Sequence, residues 1–410
     1  MHKYFIFRKT CRICNNRSLV KVLNLGSMPP ANSFLKKNEL AKKERKFPLV
    51  LYFCNKCKLA QLRHVCSPNL LFGDYYYLTS ASRPLAEHFI KFGREITKKF
   101  IRSRNDLVIE IGSNDGTLLA SLRSRCRVLG VDPAKNLAGL ARSKGVETIV
   151  DFFGARVARG ILKKRGSAKV IVANNVIAHI DDLSDVFKGV GELLADDGVF
   201  VFEVHWVGNL IGRGGFDQIY HEHLSYFSLT ALKTLAVLND FVIRDVELVP
   251  IHGQSLRVYM TRRDPSSKRA REFLKKERRF GLADKKTYLK FAKKVKKNKI
   301  DLQKFLNKIK KNGKIIAGYG APAKGNTLLN YCGLDSSVIS FIVDTTPFKQ
   351  GKYTPGAHIP IYPPAKLKEV KPDYLLLLAW NYADVIMRKE IDFHNRGGKF
   401  IIPVPKLHII

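Results

Sequence analysis

Between residues 104 and 262, short β-rich runs at 107–111, 128–131, 170–173, 199–204 and 256–260 alternate with helical patterns. Apolar runs bounded by turns and separated by helices read as buried strands, so this stretch predicts an α/β, doubly wound sheet with helices on both faces. Further runs at 315–319, 339–343, 374–379 and 400–404 predict a second α/β unit. The residues before 71 hold paired cysteines and little periodic structure. A chain of 410 residues with 45% hydrophobic side chains is long enough for two or three cores. The divisions expected are 1–70, a bridge at 71–103, 104–262, a connector at 263–312, and 313–410.

The run 108–119, Val-Ile-Glu-Ile-Gly-Ser-Asn-Asp-Gly-Thr-Leu-Leu, is a strand entering a glycine-bearing turn and then a helix. Gly112 and Gly116 let the backbone turn sharply and a ligand approach closely. The turn has neither the G-x-G-x-x-G spacing of a dinucleotide site nor a P-loop lysine. Glu110 and Asp115 would repel a pyrophosphate and suit a cation, while Asp132, twenty residues past Gly112, sits where an acid meets ribose hydroxyls. A cationic nucleoside without phosphate is S-adenosylmethionine. Ser113, Asn114 and Asn174 complete the expected cofactor-binding set with Glu110, Gly112, Asp115, Gly116 and Asp132.

Cys11-Arg-Ile-Cys14 and Cys54-Asn-Lys-Cys57 each present two thiolates from a tight knuckle, and together they supply the four soft ligands of a structural, tetrahedral zinc. Cys66, Cys126 and Cys332 lack such partners and read as buried thiols. This usage suits a reducing compartment. No run approaches the length of a membrane span and the N-terminus lacks a secretory pattern, so the cytoplasm is expected. Lys+Arg 72 against Asp+Glu 35 gives +37, densest at 262–314. Such a balance attracts polyanions. Yet Tyr288, Phe291, Val295, Leu302, Leu306 and Ile309 recur at helical spacing there, which leaves the lysines on a wet face: a basic helical connector.

Tyr220-His221-Glu222-His223 concentrates proton-handling groups inside 216–227. A histidine beside a carboxylate and a phenol is a general-base candidate. In the last unit, a strand and small-residue turn lead to Pro322 and Lys324, so a helix should start at or after Pro322. Amides at that helix start plus Lys324 form a diphosphate cradle.

With these strings in hand, the sequence resembles the C-methyltransferases that act on nucleotide-linked 4-keto sugars. The likeness runs from the two cysteine knuckles through Glu110–Gly116, 174–180 and 216–227 to 255–259, 320–326 and 349–356. It implies a class I methyltransferase sheet with an N-terminal zinc-binding module and a C-terminal Rossmann-like domain that binds the nucleotide sugar. It implies His223 as the base, with Tyr220, Glu222, His179 and Asn175 around the reacting sugar and Tyr75 or Tyr77 contributed from the bridge. Substrate contacts are expected from Tyr319, Gly320, Ala321, Lys324, Asn326, Asp344 and Lys349, with Asp344 either meeting a ribose or capping a turn. The chain departs at His252-Gly-Gln-Ser255, where family members often read His-Gly-Gly-Ser, so the resemblance leaves the sugar open.

The implied reaction moves a methyl from S-adenosylmethionine to a carbon beside the ketone, C3 by analogy. An RNA or ribosomal methyltransferase also suits the zinc module and the charge, but gives the last domain no role and lacks a base-methylating motif. A catalytically silent sugar-nucleotide-binding protein is the other reading. No membrane partner is expected, nucleic acid is disfavoured, and a monomer is expected.

Overall fold

The structure is a computed structural model and describes residues 4–72, 78–81, 83–251 and 253–410. The N-terminal part contains β1 (Phe5–Phe7), β2 (Leu19–Met28), β3 (Phe47–Cys54), β4 (Ala60–Leu62) and β5 (His64–Cys66). β2, β3 and β4 form an antiparallel sheet, contrary to the expectation of little periodic structure. Register shifts between Lys21 and Leu23 and between Asn24 and Ser27 break the alternation of β2, which hid the strand from a period-two reading.

The central sheet is built from β6 (Leu107–Ile111), β7 (Arg127–Val131), β8 (Thr148–Ile149), β9 (Ala168–Asn174) and β10 (Leu194–His205). A short β11 (Ser225–Tyr226) leaves this part to pair with β4, and β12 (Val242–Val249) and β13 (Ser255–Thr261) return. The order is β12-β13-β10-β9-β6-β7-β8, with β13 running against the rest. Alternate side chains face two cores. Val108, Val170, Val172 and Val201 pack with Phe89, Phe92 and Ile96 of the helix Arg83–Phe100. Ile109, Ile171, Phe200 and Phe202 belong to the core shared with the N-terminal part. Full burial of Phe92 alone contributes roughly 1.5–3 kcal/mol. β12 was not foreseen because Arg244, Asp245 and Glu247 interrupt its apolar pattern on a sheet edge.

The last sheet has the order β16-β15-β14-β17-β18-β19. Its strands are β14 (Ile316–Tyr319), β15 (Phe341–Val343), β16 (Ile361–Tyr362), β17 (Tyr374–Leu377), β18 (Lys399–Ile402) and β19 (His408–Ile409). All are parallel except β19. As the spacing predicts, Tyr288, Phe291, Val295, Leu302, Leu306 and Ile309 are buried along one stripe of the helix Lys285–Lys311. That helix is more than a connector. It packs on β2 and on the helix Ala323–Cys332, and the Tyr288 ring lies 4.6 Å from that of Phe53 on β3.

Candidate active site

In both parallel sheets the chain leaves its first strand, builds outward on one side, then crosses to the other side. Ligands in such sheets sit outside the carboxyl ends of the strands at that switch point. In the central sheet the switch lies between β6 and β9, in the last sheet between β14 and β17.

At the first switch point, the turn after β6 takes positive φ at Gly112 (+67°), Asn114 (+50°) and Gly116 (+73°). A Cβ at Gly112 would lie 2.3 Å from Val176 Cγ2, so only glycine fits there. One oxygen of the buried Glu110 accepts from the Asn174 amide at 3.3 Å. Its other oxygen, the Ser113 hydroxyl and the side-chain oxygens of Asn174 and Asn175 are buried with no partner among the described residues. Burial pushes the Glu110 carboxyl well above its usual range. Asp132, at the end of β7, accepts the Asn114 N–H at 2.8 Å and the Ala134 N–H at 2.9 Å, which leaves each oxygen with further acceptor capacity. A pocket of acceptors short of donors fits S-adenosylmethionine, whose ammonium, ribose hydroxyls and adenine amine are donors.

Asp115 does not reach into this pocket freely. Its carboxylate accepts from Thr117 Oγ1 at 2.7 Å, from the Ser80 amide at 3.1 Å, and pairs with Lys144 at 3.0 Å. Asn114 Oδ1 accepts the Thr79 amide at 2.9 Å. These two side chains therefore fasten the bridge across the cofactor loop. Tyr75 and Tyr77 lie outside the described residues.

His223 is nearly buried and stands against the carboxyl ends of β9 and β10. Its Nδ1 is 3.0 Å from the Gln218 carbonyl oxygen. A carbonyl only accepts, so Nδ1 carries the proton and Nε2 the lone pair. The Tyr220 hydroxyl lies 2.8 Å from that Nε2 and donates to it. The ring of His179 is 5.0 Å from that of His223, and His205, at the end of β10, is 5.1 Å away. His179 Nδ1 donates to the Glu222 carbonyl at 2.7 Å, and burial lowers its pKa to about 4. The Leu224 amide donates to Ala178 O, which holds the two histidine-bearing loops together.

The other groups of this string point elsewhere. His221 Nε2 bonds Phe47 O at 3.1 Å. Glu222 accepts the Asn32 amide at 2.7 Å, and burial raises its pKa to about 7. Asp217 accepts the Trp380 indole N–H at 2.5 Å. Burial lifts the Asp217 carboxyl to about 6, opposed by Lys324.

At the second switch point, Gly320 (φ +82°) turns the chain and the helix begins at Ala323 with Pro322 as its cap. Lys324 bonds Asn381 and its ammonium lies 4.7 Å from the Trp380 ring centre, while burial lowers its pKa to about 8. Asp344 accepts the Ala321 amide at 2.7 Å and lies 3.4 Å from Lys349, which also donates to Ala321 O at 3.0 Å. Two expected members of this group point away. The Tyr319 hydroxyl donates to Glu390 at 3.0 Å, and the Asn326 amide donates to Ala31 O at 2.7 Å.

Cys11, Cys14, Cys54 and Cys57 place their sulfurs within 4.8 Å of one another. Asn15 (φ +54°) and Lys58 (φ +68°) close the two knuckles in the same left-handed way, each donating its amide to the first cysteine's carbonyl. Gln61 Nε2 donates to Cys11 Sγ at 3.1 Å. This is a closed, four-sulfur structural zinc site. The lone thiols Cys66, Cys126 and Cys332 are buried.

A sheet of this order, with one reversed strand, an acid-flanked glycine turn and Asp132 on the neighbouring strand, defines a class I S-adenosylmethionine-dependent methyltransferase. Comparison with known proteins narrows the class. The family model described as "Methyltransferase domain" matches residues 85–246, "C-methyltransferase C-terminal domain" matches 250–405, and "Putative zinc binding domain" matches 11–72. The chain is 40% identical to C-methyltransferase NovU of Streptomyces niveus over 404 residues, which is 98% of this chain and 96% of that protein. It belongs to the S-adenosylmethionine-dependent C-methyltransferase family. Among solved structures, an S-adenosylmethionine-dependent methyltransferase from Clostridium acetobutylicum ATCC 824 aligns with a TM-score of 0.34 at 14% identity, covering 47% of this chain and 95% of that one. Magnesium protoporphyrin IX methyltransferase from Synechocystis PCC 6803 with bound SAH gives 0.34 at 12% identity, with 48% and 92% covered. Among the described residues, no helix is long and apolar enough to cross a membrane.

Reading the sequence missed His205, Asp217, Trp380 and Asn32. His205 and Trp380 both follow the carboxyl ends of sheet strands, where the switch-point rule looks for function. Asp217 lay inside the 216–227 string. Nothing local marked Asn32, whose contact is made across 190 residues.

Proposed function

We propose that the protein methylates a ring carbon, C3, beside the ketone of a nucleotide-linked 4-keto deoxysugar. The observation that carries this reading is the state of His223: a proton fixed on Nδ1 by Gln218 O and a basic Nε2 beside the Tyr220 hydroxyl. Hydrogen on a carbon next to a ketone is acidic because the charge left behind moves to the carbonyl oxygen. His223 Nε2 takes that proton, and the Tyr220 hydroxyl, which can no longer donate to the protonated Nε2, serves the enolate oxygen as a donor. Glu110, Ser113, Asn174 and Asp132 hold S-adenosylmethionine, which when bound supplies an electrophilic methyl on sulfur. Lys324 and the amides at the start of its helix take the diphosphate. Lys349, Asp344, Gly320 and Ala321 shape the same crevice.

The test is incubation with S-adenosylmethionine and a panel of 4-keto nucleotide sugars, read by mass. A gain of one methyl on a ring carbon is expected. Methylation confined to RNA or to oxygen and nitrogen atoms would defeat the reading.

A further inference from the structure

The proton that His223 removes has to leave before the next turnover, and the surroundings of the ring restrict its route. The Nδ1 proton is committed to Gln218 O, so only Nε2 exchanges. His223 itself is 6% exposed. Two further imidazoles flank it, at ring distances of 5.0 Å for His179 and 5.1 Å for His205. They differ in what they can carry. His179 uses Nδ1 on the Glu222 carbonyl and is held neutral by burial, so it is a poor cation. His205 is half-buried and terminates β10, with its main chain fixed opposite Ser255 on β13 and its ring turned toward His223. Its position is set by a central strand, not by a loop, so the two rings are held at a fixed approach.

We propose that His205 is the proton relay of this active site. The inference rests on the reading of His223 as base. The substrate C–H bond breaks and its electron pair passes to the carbonyl. The proton goes to His223 Nε2, the enolate carbon supplies the pair of the new C–C bond as the C–S bond breaks and its pair stays on sulfur, and His223 then passes its proton through His205 to water or buffer. The net products are methylated sugar, the thioether and one proton, so no further reactant is needed. A relay of this kind acts after methyl transfer, which separates it from a base or a structural residue.

The experiment compares wild type, His205→Ala, His205→Gln and Tyr220→Phe, each first shown to bind S-adenosylmethionine. Single-turnover methyl transfer under excess enzyme is measured beside steady-state turnover at rising imidazole concentration. For His205→Ala, single turnover should stay within about three-fold of wild type while steady-state turnover falls about ten-fold or more and recovers with imidazole. His205→Gln, which keeps polar bulk on the strand, should show the same split. Wild type should be insensitive to imidazole. Unchanged steady-state turnover, an equal loss of single turnover, or imidazole rescue in Tyr220→Phe alone would overturn the assignment. A wild type that methylates no keto sugar would bring down the reading of His223 as base, and this inference with it.

Discussion

The carboxylate of Glu222 accepts a hydrogen bond from the side-chain amide of Asn32 at 2.7 Å, so the zinc-bearing module and the histidine turn share a buried contact. Burial has raised Glu222 from an ordinary 4.5 to about 7, opposed by Asn32. Because the folded-state value is the higher one, the stability tied to this group is complete below about pH 4.5 and lost as pH rises through about 7. Glu222→Gln stays neutral throughout. Its stability relative to wild type should therefore climb by on the order of 2–3 kcal/mol between about pH 4 and about pH 8. Denaturant unfolding of both proteins across that range checks this; a constant difference would show that Glu222 ionises normally.

His223→Asn keeps polar bulk but removes the basic Nε2. Turnover should fall by about 10²–10⁴-fold with S-adenosylmethionine affinity within a few-fold of wild type. Calorimetry and a methyl-transfer assay read the two quantities separately. Near-normal methylation would remove His223 as base.

Glu110→Gln replaces a buried acceptor with a group that is half donor. Because one Glu110 oxygen has no partner among the described residues, the cofactor should lose a hydrogen bond there, weakening binding by about 0.5–1.5 kcal/mol. Unaltered affinity by titration calorimetry would take Glu110 out of the cofactor site.

The protein should carry about one zinc per chain. Gln61 donates to Cys11 Sγ and pairs with Ser225 of β11, two residues past His223. Chelation should consequently reduce turnover more than S-adenosylmethionine affinity, since the cofactor loop belongs to a different sheet. Equal loss of both on metal removal would contradict this ordering.

Gln254 sits at φ +83°, a conformation that costs a side chain but not glycine. Gln254→Gly should stabilise the fold by about 1 kcal/mol, measured by urea unfolding. A destabilised variant would mean that the Gln254 side chain makes contacts worth more than the backbone strain.

Periodicity revealed the strands that carry unbroken apolar runs: β6 was read residue for residue, and β7, β9, β13 and β14 to within two residues at either end. It failed at β2, broken by register shifts, and at the charged edge strand β12. The helix Lys285–Lys311 shows its buried stripe plainly, but not which partners cover it. The acid-flanked turn from Glu110 to Gly116 was legible because strand, turn and helix are neighbours in sequence. Pairs such as Asp217 with Trp380 or Asn326 with Ala31 leave no mark in either segment alone. Their geometry exists only once distant elements have docked.

The pairing of β11 with β4 ties the segment after His223 to the N-terminal sheet. A fragment trimmed to the central sheet would keep the turn that grips the sulfonium nucleoside, yet the strand that follows His223 would lose the partner along its edge. Such a minimal enzyme would hold its methyl donor and aim less firmly the base that readies a carbon to receive it.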